Sequence, residues 1–216
     1  MAGRRRSFLP GRGVARVNVL IIPEDFRQDQ FILLPLVQRM LREIGKPAAN
    51  VRVCMDPLLG GVNEALKKER IREVLERYSG MVDLFLLLVD RDGVPQRRKV
   101  LDSLEVFAHK LLPGGTCSLL GENAWQEVEV WALAGQSLPR GWTWQEVRAE
   151  IHAKERYFHP FVQARGLTNE PGHGRRTLGQ EAAANYRRVK KRCQEDIAVL
   201  ENRLRVWLDS VDGSAT

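Results

Sequence analysis

Two rhythms of apolar residues alternate along this chain. Short, mainly apolar runs rich in β-branched residues or leucine occur at Val17 to Ile22 (VNVLII), Val51 to Met55, Leu84 to Val89 and Thr116 to Leu120. Their length and bounding turn residues predict buried strands. Between them, apolar residues recur at three- and four-residue steps. Examples are Phe31, Leu34, Val37, Met40, Leu41 and Ile44, then Leu66, Ile71, Val74, Leu75 and Tyr78, then Val100, Leu101, Leu104, Phe107 and Leu111. That spacing predicts amphipathic helices over 30–44, 63–78 and 97–112, with a further helix over 124–134. Gly45, Gly80 and the run Pro113-Gly114-Gly115 supply the stops. The repeated order of strand and helix predicts an α/β fold, a Rossmann-like parallel sheet flanked by helices on both faces.

The character changes near Leu138. A helix is predicted near 144–157, a Gly/Pro/His-rich loop over 166–176, and one long amphipathic helix over 179–208. Its stripe is Ala183, Tyr186, Val189, Cys193, Ile197, Leu200, Leu204 and Trp207. Such a stripe packs on the sheet unit or forms an oligomer seam. The expected organisation is a basic arm over 1–15, an α/β unit over 16–137 and a C-terminal helical extension over 138–216 packed on it.

Hydrophobic residues are 44% and charged residues 28% of 216, enough apolar content for a folded core. The formal net charge of +7 suggests a polyanionic partner such as nucleic acid, or simply a basic solvated surface. Arg4 to Arg6 are not followed by an apolar signal core, and no run approaches the roughly 18 apolar residues of a membrane span, so no membrane is expected. Cys54, Cys117 and Cys193 stand far apart without a CxxC or Cys/His cluster, which suits a reducing cytoplasm. No GxxxxGK[ST] loop is present, so the chain supplies no P-loop ATPase itself.

Candidate chemistry lies at strand ends. Leu84 to Val89 runs into Asp90-Arg91-Asp92-Gly93, and the first strand runs into Pro23-Glu24-Asp25. Ligands of open α/β sheets bind at the carboxyl ends of the strands. Asp90 and Asp92 share one side of the pleat if the strand continues to Asp92. Carboxylates converging from separate strands repel unless a cation lies among them or one stays protonated. Mg²⁺ (or Mn²⁺) suits such oxygen donors.

The arrangement resembles the Toprim domain of topoisomerases, primases and overcoming-lysogenization-defect nucleases, which carries a Glu after its first strand and Asp-x-Asp after its third. The likeness covers roughly 17–120, on VLIIPE ending at Glu24 and LLLVDRD containing Asp90 and Asp92. More narrowly, the chain is similar to a family of standalone Toprim-like proteins of unknown function found beside bacterial defence ATPases. That likeness rests on Glu129-Val130-Trp131-Ala132-Leu133-Ala134 and on a C-terminal helix like Glu181 to Leu204. The resemblance implies catalytic Glu24, Asp90 and Asp92, a metal held by these and Glu129, nuclease action on DNA more than RNA, and an ATPase protein partner. Toprim domains commonly place Gly where Asp25 stands here. By its own neighbours Glu129 is equally the polar edge of a helix.

Arg97, Arg98 and Lys99, and Lys190 and Lys191 beside Arg187, Arg188 and Arg192, are the expected nucleic-acid contacts; exposed helix surface is their ordinary alternative. Asp90-Arg91-Asp92-Gly93-Val94 also resembles the nucleophile signature of haloacid-dehalogenase-type phosphatases, with Asp90 attacking phosphorus. That signature normally sits on the first strand, and here two strand–helix units precede it. A third expectation is a non-catalytic or partner-dependent Toprim-like module. Association with further copies of the chain is left open.

Overall fold

The structure, a computed structural model, describes residues 16–112 and 117–213. The expected basic arm and the Pro113-Gly114-Gly115 stop lie outside the described residues. Among the described residues, four parallel strands form one sheet: β1 (Asn18–Pro23), β2 (Asn50–Val53), β3 (Leu84–Asp90) and β4 (Ser118–Ala124), in the order β2-β1-β3-β4. β3 is buried along its whole length, as a leucine run between two neighbours requires. Leu84, Leu86 and Leu88 face one side with Val19 and Ile21, while Phe85, Leu87 and Val89 face the other with Leu20 and Ile22. Each such burial stabilises the fold by roughly 1.5–3 kcal/mol.

The second of these faces is covered by α2 (Val62–Ala65), α3 (Lys68–Tyr78) and α4 (Arg97–Leu111). The first is covered by α1 (Phe26–Glu43), α5 (Glu129–Ala134) and the C-terminal helices. These are α6 (Trp144–Ala149), α7 (His159–Ala164), α8 (Arg175–Ala184), α9 (Tyr186–Arg192) and α10 (Val199–Gly213), with π-helical turns at Lys154–Phe158 and Gln194–Ala198. Phe158, Leu178, Tyr186, Ile197 and Leu204 share one core with Val19, Leu84 and Leu86, so the extension and the sheet bury each other. Gly179 and Gly135 allow the closest approaches. A Cβ on Gly179 would stand 2.2 Å from the Phe31 carbonyl oxygen, and one on Gly135 2.4 Å from Ala182 Cα. The result is the α/β, Rossmann-like parallel sheet with a helical C-terminal region that the pattern predicts. No helix among the described residues is long and apolar enough to cross a membrane.

Local expectations differ at several places. The helix expected over 63–78 is split into α2 and α3, the one expected near 144–157 ends at Ala149 before the π turn at Lys154–Phe158, and α8 begins at Arg175, inside the stretch expected as loop. β4 runs on past its expected end at Leu120, through Gly121, Glu122 and Asn123 to Ala124. The strand continues because α4 and α10 supply partners at its free edge: Glu105 accepts from the Gly121 N–H at 2.8 Å, and Arg98 and Arg203 donate to its carbonyl at 2.7 and 2.6 Å. The helix expected from Ala124 starts only at Glu129, because residues 125–128 form a turn tied to the end of β3. The long helix expected over 179–208 is interrupted at Asn185 and again by the π turn at Gln194–Ala198. A π turn inserts a residue and rotates the helix beyond it, and this one aims Asp196 inward, where it is 1% exposed.

Candidate functional site

The chain leaves β1 toward β2 on one side and returns to β3 and β4 on the other. The boundary between β1 and β3 is therefore the switch point of the sheet, the place where open α/β sheets leave a crevice at their carboxyl edge. Pro23 pairs with Leu88 across that boundary. Glu24, the next residue of one strand, and Asp90, the last of the other, consequently emerge side by side.

Asp90 is buried, and its Oδ1 accepts from the Val128 N–H at 2.8 Å. Burial pushes its carboxyl well above the usual range, and Glu24, Glu129 and Asp29 push it further. Glu24 is raised too, by burial and then by Asp92; hydrogen bonding to Asp90 and the charge of Arg97 oppose the shift. Oε2 of Glu24 is buried with no hydrogen-bond partner. Asp29, in the first turn of α1, is raised to about 8, chiefly by burial. The Asp25 N–H, 3.0 Å from its Oδ2, opposes that shift, and Glu129 and Glu24 add to it. Carboxylates packed together away from water must share protons or take up a cation.

The Asp-Arg-Asp-Gly turn is held by the turn after β4. Arg91 and Asp92 donate their N–H groups to the Gln126 carbonyl at 2.8 and 3.2 Å, and Gly93 donates to the Gln126 Oε1 at 2.9 Å. β3 ends at Asp90, so its pleat does not extend to Asp92, whose φ is 51°. Asp92 is exposed, and Arg97 Nη2 lies 3.6 Å from its Oδ2. Arg97 itself is buried.

Glu129 opens α5 and is buried against Arg175 of α8. The Arg175 Nε donates to Glu129 Oε1 at 3.0 Å, and its Nη2 donates to the same oxygen. Glu127 is pushed up to about 7, first by burial, while its Oε2 accepts from the Lys154 N–H. Burial works against the charge of Lys154, but Glu129, Glu127, Glu155 and Asp90 outweigh it and raise the amine. Arg97, Lys154 and Arg175 thus stand around the acids. Among the described residues, no three carboxylate, imidazole or thiol groups are drawn together closely enough to hold one ion between them.

The other expected residues go elsewhere. Asp25 caps α1, accepting from the Arg27 N–H at 2.9 Å. Arg98 is occupied by Asp102, Glu105 and the Gly121 carbonyl, and Lys99 is exposed. Lys190 pairs with the buried Glu201 at 2.8 Å, and Lys191 is exposed on the same helix. Sequence reasoning missed Asp29, Gln126, Glu127, Lys154 and Arg175. An acid in a first helical turn reads as a dipole partner, and Arg175 stands in a stretch that reads as loop. Asp196 was also missed. It braces the site from behind, accepting from the Trp125 N–H, the Trp131 Nε1 and both Arg148 terminal nitrogens at 2.7–3.0 Å.

Comparison with protein-family models, curated proteins and solved structures finds no match to this chain.

Proposed function

We propose that this protein is a metal-dependent phosphodiesterase that cuts nucleic acid, DNA before RNA, on a Toprim-like sheet. The observation that carries the reading is the meeting of Glu24 and Asp90 at the switch point, with Asp29 and Glu129 acting on the same buried space. The donors are all hard oxygens, and Glu24 Oε2 has no partner of its own, which fits Mg²⁺ or Mn²⁺. Glu24, Asp90, Asp92 and Glu129 are the residues that would hold it, and they would have to draw closer around the ion than they stand here. When bound, such a cation stabilises charge on a phosphoryl oxygen and lowers the pKa of water.

The chain's own contribution is orientation and charge. The Val128 N–H fixes Asp90, and Gln126 fixes the turn carrying Asp92. Arg97 and Lys154 contact Asp92 and Glu127 at 3.6 and 3.8 Å. These pairs are longer than charge-assisted hydrogen bonds of about 2.7–2.9 Å. Lys154, whose side chain is partly exposed, is the freer of the two to reach a phosphate oxygen, while Arg97 is buried. A net charge of +7 favours a polyanion. The proposed setting is cytoplasmic, beside an ATPase protein that supplies what this chain lacks.

The test uses supercoiled plasmid and single-stranded RNA with Mg²⁺ or Mn²⁺, comparing wild type with Asp90→Asn. Cutting by wild type and none by the variant is expected. Equal cutting by both removes Asp90 from the chemistry. Mn²⁺ binding without cutting favours the partner-dependent module.

A further inference from the structure

We infer that Arg91, stacked on Trp125, is a substrate-binding residue that grips a phosphate of the nucleic-acid strand beside the acidic site. The inference deepens the nucleic-acid reading above and rests on it. Asp90 pairs with Ala124, so the residues that follow them, Arg91 and Trp125, leave the sheet side by side. The Arg91 guanidinium carbon lies 3.9 Å from the centre of the Trp125 ring. Both residues are half-buried at the carboxyl edge. The stack stands one strand, roughly 5 Å, to the side of the boundary where Glu24 and Asp90 meet.

Both partners are fixed from behind. The Arg91 N–H donates to the Gln126 carbonyl at 2.8 Å, and the Arg91 carbonyl accepts from the Val94 N–H at 2.9 Å. The Trp125 N–H donates to Asp196 at 2.9 Å. Arg148, whose guanidinium carbon lies 5.4 Å from the centre of the same ring, is held by Asp196 and Glu195. The other cations of this edge are matched to acids: Arg97 to Asp92, Lys154 to Glu127, Arg175 to Glu129 and Arg148 to Asp196. Arg91 pairs with no carboxylate among the described residues. A ring face attracts a guanidinium without taking up its N–H donors as a carboxylate does. The planar fork is thus held in place with its donors free, the state that suits two-pronged binding of a phosphate.

The competing role is packing alone, with the Arg91 stem covering Trp125. The two roles differ in salt dependence. Each phosphate contact adds about 0.7 to the steepness of log affinity against log salt for a single strand, and packing adds nothing. Binding of a fluorescein-labelled single-stranded oligonucleotide to the full chain, in chelator and with Ca²⁺ in place of Mg²⁺, reads that slope, with the melting temperature read alongside. R91Q is expected to weaken binding several-fold and to lower the slope by about 0.7. R91K keeps the charge without the fork, and should regain the slope but only part of the affinity. R72Q removes an equal charge from an exposed arginine of α3 that lies against Phe107, and should leave both unchanged.

R91Q with the wild-type slope overturns the inference, whatever its melting temperature, as does an equal fall in slope for R72Q. If R91Q does not fold, R91K with wild-type affinity or with a lowered slope overturns it equally. Failure of the wild type to bind, in chelator and with Ca²⁺ alike, overturns the nucleic-acid reading and this inference with it, and is seen before any variant is made.

Discussion

Asp92 and Gln126 meet backbone to backbone at the carboxyl edge of the sheet, the Asp92 N–H donating to the Gln126 carbonyl at 3.2 Å, and both hold positive φ, 51° and 76°. Non-glycine residues in that region cost of order 1–3 kcal/mol each and persist only where neighbours over-determine them. Here the neighbours are the Arg91 N–H on the same carbonyl and the Gly93 N–H on the Gln126 side chain. The turn after β3 and the turn after β4 therefore form one unit, and Asp92 and Glu129 both take their positions from it. Gln126→Ala keeps the strained φ and leaves the Gly93 N–H without its acceptor, so it should destabilise the protein by about 1–3 kcal/mol. Gln126→Gly loses the same bond but relieves the strain and should cost less. Chemical denaturation of the two variants checks the order.

Asp90→Asn should separate stability from function. The amide oxygen still accepts from Val128, and no negative charge can form there to face Glu24, Glu129 and Asp29. In chelator the variant should unfold at higher temperature than wild type, by a gain on the order of 1 kcal/mol. The same variant should lose the stabilisation that Mn²⁺ gives wild type. Calorimetric melting with and without Mn²⁺ reads both; a lower melting temperature in chelator would count against repulsion at this site.

Without metal, stability should fall as pH rises. Asp29 is raised to about 8, and Glu122 and Glu127 to about 7, each chiefly by burial. In the unfolded chain these groups ionise near pH 4. Between pH 4 and 8 the folded protein binds more protons than the unfolded one, so rising pH favours unfolding. Their contribution is complete below about pH 4 and is lost as pH passes through 7 to 8. Denaturation midpoints in chelator at pH 5, 6.5 and 8 should decrease in that order, and Mn²⁺ should recover most at pH 8, where Asp29 and Glu127 are giving up their protons.

Asp196→Ala should be the most damaging single change outside the sheet. It leaves the buried Arg148 with Glu195 as its remaining carboxylate partner and removes the acceptor for the Trp131 Nε1 and the Trp125 N–H. Breaking one side of a buried pair costs about 3–5 kcal/mol. Denaturation should show a loss of that order, with Asp196→Asn milder because it keeps an oxygen for the indole and amide donors.

The elements themselves were legible in the residues. A leucine run bounded by turn residues has one stable use, a strand buried on both faces, and β3 is that strand. Likewise Phe31 to Ile44 repeats its apolar residues at helical spacing, and α1 forms there. Local pattern misled where a partner distant in sequence overrides propensity. Gly121 and Glu122 extend β4 because Glu105, Arg98 and Arg203 close its edge. The C-terminal helix bends into a π turn because Asp196 has donors waiting on two other elements.

The candidate site divides along the same line. The residues alone determined that Glu24 comes after a strand and that Asp90 ends another with a turn after it, since strand and turn propensities act over a few residues. Only the tertiary structure decided that β3 lies beside β1, that Asp29 joins the acids from a helix, and that Glu129 is held by an arginine from the far end of the chain. Strand order and helix docking are set by which apolar faces bury each other, a long-range packing energy that no short stretch of sequence records.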